Sequence, residues 1–195
     1  MSGGLSPTLL PNLAVGDLAA LRAFLSGRRT RGTSLTAQLD ARLDTEKQDT
    51  LLTWASWHGQ AEAVRLLLEA GASVGATDGR GVSALFIACL QGHVKIVRLL
   101  LDAKAAVDQA NEGGVTTPLF IACYQGHLEC ARLLQQAGAA VNQAVNGGFT
   151  SLYVACELGR LEIARLLLEA SAAVGQAAEN GATPLFIACY QGHLE

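Results

Sequence analysis

From Leu52 onward the apolar positions fall into short helical faces that return on a fixed beat. In the stretch TPLFIACYQG, Thr117 to Gly126, the residues Leu119, Ala122 and Cys123 stand at i, i+3 and i+4, one face of a helix. Thr117 is a candidate N-cap, and Pro118 falls at the first helical position, where a missing N–H costs nothing. Gly126 ends the helix. A second face follows in HLECARLLQQ, marked by Leu128, Ala131, Leu134 and Gln135, and Gly138 sits where a left-handed residue would close it. The stretch AAVNQAVNGG then reads as a turn-rich connector and not as a long strand. The leucine of the first helix recurs at Leu52, Leu85, Leu119, Leu152 and Leu185, with gaps of 33, 34, 33 and 33 residues. Thirteen residues, TPLFIACYQGHLE, occur twice without change, at Thr117 to Glu129 and Thr183 to Glu195.

A helix pair of this length cannot cover its own apolar face, whereas stacked copies cover one another's. The period, the Thr117–Cys123 stretch with Gly126-His127, the run Val97 to Leu101 and the closing Gly138-Ala139-Ala140-Val141-Asn142 resemble the ankyrin-repeat family. The resemblance implies an all-α solenoid of stacked helix-turn-helix units joined by hairpin-like loops. It covers residues 49 to 195, as repeats 49–81, 82–114, 115–148 and 149–181 and a partial repeat 182–195. Gly16 to Leu25 resembles Gly92 to Leu101, so residues 1–25 read as a degenerate N-terminal unit. The ten surplus residues before Gly59 place an extended polar loop at 26–48.

The chain departs from the family in three ways, one of them an extra residue in the turn of the third repeat, around Gly113 to Thr116. The histidine of the family's TPLH is replaced by Thr53, Phe86, Phe120, Tyr153 and Phe186, so apolar packing is expected there. Lys104 and Ser171 stand where glycine closes the second helix, each at about 1 kcal/mol if left-handed.

Net charge is -3 and aromatic residues are 5%, which argues against a nucleic-acid surface. Arg28, Arg29 and Arg31 form a short basic run, read as a solvated loop. No apolar run reaches membrane-spanning length, and the N-terminus has no basic segment followed by an apolar one. The expected setting is intracellular, cytoplasmic or nuclear. The repeated pairs Cys89/His93, Cys123/His127 and Cys189/His193 suggest zinc chemistry by residue type. Their spacing crosses a helix break, however, and the fourth repeat replaces the histidine with Arg160, so the cysteines read as small core residues. No nucleophile, base or phosphate-loop pattern is present. The chain reads as non-enzymatic, with no cofactor and no metal.

By the resemblance, the position two residues past the first-helix alanine faces a concave groove. There stand Trp57, Leu90, Tyr124, Glu157 and Tyr190, followed by His58, Gln91, Gln125, Leu158 and Gln191. A second variable set lies on the turn tips at Lys47, Arg80, Val82, Val115, Asn146, Phe149 and Asn180. These positions are expected to bind an unidentified partner protein, as a scaffold. The alternative is a regulatory or targeting segment of a longer, truncated polypeptide that carries an enzymatic domain. The last repeat has only its first helix, which leaves the face of Leu185, Ile187, Ala188 and Cys189 without a far-side partner. Self-association through that end is therefore also expected.

Overall fold

The computed structural model describes residues 18–27, 35–43, 45–111 and 116–193. Among them the chain is all helical, with no strand beyond one isolated bridge between Thr77 and Ser83. It divides into two compact units, residues 1–105 and 106–195.

The first unit contains α1 (Ala19–Gly27), α2 (Leu35–Leu39), α3 (Leu51–Trp57), α4 (Ala61–Glu69), α5 (Ala84–Gln91) and α6 (Val94–Asp102). The second contains α7 (Pro118–Gln125), α8 (Leu128–Gln136), α9 (Ser151–Glu157), α10 (Leu161–Glu169) and α11 (Pro184–Gln191). Within each unit, first helices pack on first helices and second on second: α3 on α5 and α4 on α6, then α7 on α9, α9 on α11 and α8 on α10.

The first helices begin where the hydroxyls predict. The backbone N–H groups of Phe86, Phe120, Tyr153 and Phe186 donate to the hydroxyls of Ser83, Thr117, Thr150 and Thr183 at 3.1–3.2 Å. At α3 the cap is reciprocal: Thr53 N–H donates to Thr50 Oγ1, and Thr50 N–H donates to Thr53 Oγ1 at 2.8 Å. The threonine that replaces the family's histidine is thus itself a capping residue. Phe86 and Tyr153, at the same register, are buried as apolar packing requires.

The inward faces are made of Leu52, Ala55, Leu85 and Ala88 in the first unit and Leu119, Ala122, Leu152 and Ala155 in the second, all buried. The alanines let first helices approach closely, and the leucines fill the space between them. Val64, Leu67, Val97 and Leu100 complete the first core from the second helices. On the opposite, solvent side Arg65, Arg132 and Arg165 pair with Glu62, Glu129 and Glu162, one turn back. Such exposed pairs are screened by solvent and contribute little to stability.

Short hairpin-like loops return the chain between repeats. Asp78 N–H donates to Val82 O, Val145 N–H to Phe149 O and Ala178 N–H to Ala182 O, at 2.9–3.0 Å. Neighbouring loops are tied together, with Gly79 N–H on Lys47 O and Glu179 N–H on Gly147 O, both 2.9 Å. Lys104 and Ser171 are left-handed, at φ 67° and 62°, in the register of Gly71 and Gly138 at φ 91° and 86°.

The stretch 26–48 is not the extended loop expected from its polarity. α1 runs to Gly27, and α2 lies inside the stretch, with Leu39 and Leu43 buried. Asp40 Oδ1 accepts the N–H of Ser73 at 2.9 Å. Asp108 does the same for Ala140 at 3.0 Å, and Asn142 for Ala173 at 2.7 Å. Asp40 therefore stands in the closing register of a repeat. The first unit's N-terminal repeat ends near residue 40, and the surplus lies inside it. Of the expected N-terminal unit, residues 1–17 lie outside the described residues.

Candidate functional site

Each first helix ends at a glycine or at a residue one step before one, and the expected contact positions lie on its last turn. In the first unit these are Trp57, His58, Leu90 and Gln91, all partly exposed. Lys47, from the loop that precedes the same repeat, places its Nζ 3.5 Å from the centroid of the Trp57 ring. The turn-tip position and the first-helix position thus form one contact. The His58 ring lies 4.4 Å from that of Trp54, centroid to centroid. Burial holds the His58 imidazole below its ordinary pKa; nearby Asp49 opposes this and Lys47 adds to it. The indole N–H of Trp54 is buried and makes no hydrogen bond among the described residues.

In the second unit the same register carries Tyr124, Gln125, Glu157, Leu158, Tyr190 and Gln191. Tyr124 is 47% exposed, Leu158 38% and Tyr190 75%. Glu157 is half-buried, and Gln125 and Gln191 are exposed. Arg160 lies against Gly126, where a Cβ would meet its guanidinium carbon at 3.0 Å. His93 takes the same place over Gly59 in the first unit, its Nε2 3.4 Å from Trp57 O, and His193 takes it over Gly159. The residue after the inter-helix glycine is therefore a brace for the preceding repeat, which accounts for the repeated histidine without a ligand.

The turn tips divide. Asn146 and Asn180 are exposed, and Asn180 Oδ1 accepts the N–H of Ala182 at 3.0 Å. Arg80 is pinned by the buried carboxylate of Asp78, at 2.7 Å. Two of the expected contact residues are corrected. Val82 is buried, and Phe149 packs its ring 4.9 Å from that of Tyr153 against Ala178 and Ile187. Val82 and Phe149 stand just before the N-caps Ser83 and Thr150, and there the loop turns them toward the fold. Val115 lies outside the described residues.

Two copies of one helix provide an internal control on exposure. In α7 Leu119 is 1% exposed; in the identical α11 Leu185 is 69% exposed. Phe186 at 59% and Cys189 are exposed with it. Ile187, expected on this open face, is instead buried against Tyr153. Leu168 and Val174, at the end of α10 and the turn beyond it, are exposed as well. Sequence reasoning did not single these two out.

Burial raises the Cys123 thiol to about 12 and that of Cys130 to about 11, so neither is a thiolate at neutral pH. Among the described residues no three His, Cys, Asp or Glu side chains lie close enough to hold a metal ion. Among them, too, no helix is long and apolar enough to cross a membrane.

A family model described as "Ankyrin repeats (3 copies)" matches residues 15–111, 52–145, 106–178 and 142–195 in overlapping registers. The chain is 44% identical over 55 residues to human ankyrin repeat domain-containing protein 63, a match that spans 28% of this chain and 14% of that protein. It is 34% identical over 107 residues to mouse protein phosphatase 1 regulatory subunit 27, across 54% of this chain and 62% of that one. The chain thus spans less than two thirds of the length of either relative. The caps, left-handed turns and braced glycines recur with the 33-residue period that the family model matches, and the chain belongs to the ankyrin-repeat family.

Proposed function

We propose that the chain is a non-catalytic scaffold that binds a partner protein along the exposed ends of its first helices. Ankyrin repeats mediate protein–protein interaction, which sets the general role. The observation that carries the specific reading is the row Tyr124, Leu158 and Tyr190. Tyr124 and Tyr190 share one register, Leu158 stands one residue past it on the helix between them, and all three stay exposed while the fold uses none of them in its core. Tyrosine brings much contact area with few rotatable bonds, a property of binding hot spots. Trp57 and Lys47, already packed on each other, would add a pre-formed aromatic contact in the first unit.

The test is affinity capture from cell lysate with the wild-type chain and a Tyr124→Ala/Leu158→Ala chain of matched helicity. Proteins captured by the first and lost with the second support the reading. An unchanged catch refutes it.

A second reading, a regulatory segment acting on an enzyme, is favoured by the mouse relative, whose name makes it a regulatory subunit of a phosphatase. Adding the chain to a protein phosphatase 1 catalytic subunit and following its rate would support this reading by a change in activity and oppose it by none.

A further inference from the structure

The residue two places past the first-helix alanine is a ring at Trp57, Tyr124 and Tyr190 and a carboxylate at Glu157. At Trp57 the molecule covers that ring with its own cation, Lys47 Nζ, 3.5 Å from the centroid. An ammonium over an aromatic face is drawn to the negative centre of the ring. In the second unit the register of Lys47 is held in sequence by Gly114, Gly147 and Asn180, none of them charged. No cation lies over Tyr124 or Tyr190 among the described residues. Between these two rings the Glu157 carboxylate makes no hydrogen bond or ion pair with any described residue. Its oxygens are open to solvent and uncommitted, so an incoming cation can reach and pair with them.

Neighbouring packed helices lie about 8–10 Å apart, so ring, carboxylate and ring span about 20 Å. An extended segment of about six residues covers that length. Arg160 lies over Gly126, on the turn that ends the helix of Tyr124. Its charge directs an incoming cation away from that edge, toward Glu157 and Tyr190.

We infer that this row selects an extended partner segment carrying an arginine or lysine, whose head pairs with Glu157 and lies against the Tyr190 ring. Apolar residues flanking that cation rest on Leu158 and Tyr124. Arginine is preferred, because its planar guanidinium can stack on a ring and fork to a carboxylate at once. The inference rests on the proposed protein-binding role of this face.

The experiment is selection of phage-displayed random twelve-residue peptides on three chains: wild type, Glu157→Gln and Glu157→Lys. The substitutions lie at a helix end outside the core, and circular dichroism checks the fold. Arginine and lysine should be enriched in the wild-type pool, and aspartate and glutamate in the Glu157→Lys pool. Peptides resynthesised from the wild-type pool should lose about tenfold in affinity on Glu157→Gln, the factor expected of one charged hydrogen bond. The same loss should follow when their basic residue becomes glutamine. A wild-type pool without basic enrichment, an empty selection, or winners that bind Glu157→Lys unchanged would overturn the inference. A Tyr124→Ala/Leu158→Ala chain separates the two readings. Winners lost there but kept by Glu157→Lys leave the binding face standing and remove only the cation; winners kept by both remove the face as well.

Discussion

Leu119 and Leu185 occupy the same place in two identical helices, and one is buried while the other is 69% exposed. Replacing each by alanine in turn isolates the environment, because helix propensity, N-cap and neighbouring sequence are the same. Leu→Ala removes three carbons, worth about 2.4 kcal/mol of transfer free energy at about 0.8 kcal/mol each. At Leu119 the cavity left between α7 and α9 brings the cost to about 3–4 kcal/mol. At Leu185 less than a third of the side chain is removed from water and no closed cavity forms, so the cost is about 0.5 kcal/mol. Urea unfolding, with a slope of about 1–3 kcal/mol/M, should move the midpoint by about 1 M or more for Leu119→Ala and by little for Leu185→Ala. Both titrations would be run at low and high protein concentration. Equal costs at both concentrations would refute the open face. A cost at Leu185 that grows with concentration would show that a second copy covers it, as the self-association expectation requires.

Three further outcomes follow from the geometry. Lys104→Gly and Ser171→Gly relieve left-handed strain and should each stabilise by about 0.5–1 kcal/mol, measured by urea midpoint; destabilisation by either would contradict its positive φ. Native-state maleimide labelling read by mass spectrometry should modify the exposed Cys189 first and leave the buried Cys123 and Cys130 until urea unfolds the chain. Early labelling of Cys123 would contradict its burial. His58 has its pKa lowered in the folded state, so between that value and the unfolded 6.5 the unfolded chain holds the extra proton. Stability should therefore fall as pH drops below about 6.5 and level off once the folded imidazole is protonated too. His58→Gln should remove that part of the slope in thermal melts from pH 8 to 5, and an unchanged slope would assign it elsewhere.

Much of the fold was legible because ankyrin units repeat their local chemistry. A hydroxyl three residues before a capped N–H, a proline at the first helical position and a glycine after the last turn each act within a few residues. The left-handed conformations of Lys104 and Ser171 were legible for the same reason, by their place in the period. The N-terminal repeat was not. Its closing carboxylate, Asp40, keeps about one period to its partner Ser73, but the surplus residues that precede it separate it from its own second helix, so counting on from that helix does not reach it. Gln48, left-handed at φ 49° in the register of Gly81, is disguised by residue type as well. The contact surface was legible as a set of positions but not as exposures. Whether Val82 and Phe149 face solvent depends on how a loop folds over its neighbour, and whether Trp57 stands alone depends on where Lys47 reaches. Those are contacts across the repeat boundary, and a period does not encode them.

The brace of a side chain on the preceding repeat's glycine bears on how such a chain can grow. Gly59 meets His93, Gly126 meets Arg160 and Gly159 meets His193, each pair separated by about one period. The repeat of Gly159 and Arg160 thus carries both halves of the joint, a socket for its successor and a plug for its predecessor. A block copied whole keeps the two in step wherever it is spliced, so duplication yields a joint that fits at once. A point change at the glycine must be answered one repeat away. Copying is therefore the easier path for this architecture, and the verbatim recurrence of thirteen residues is the kind of trace it leaves.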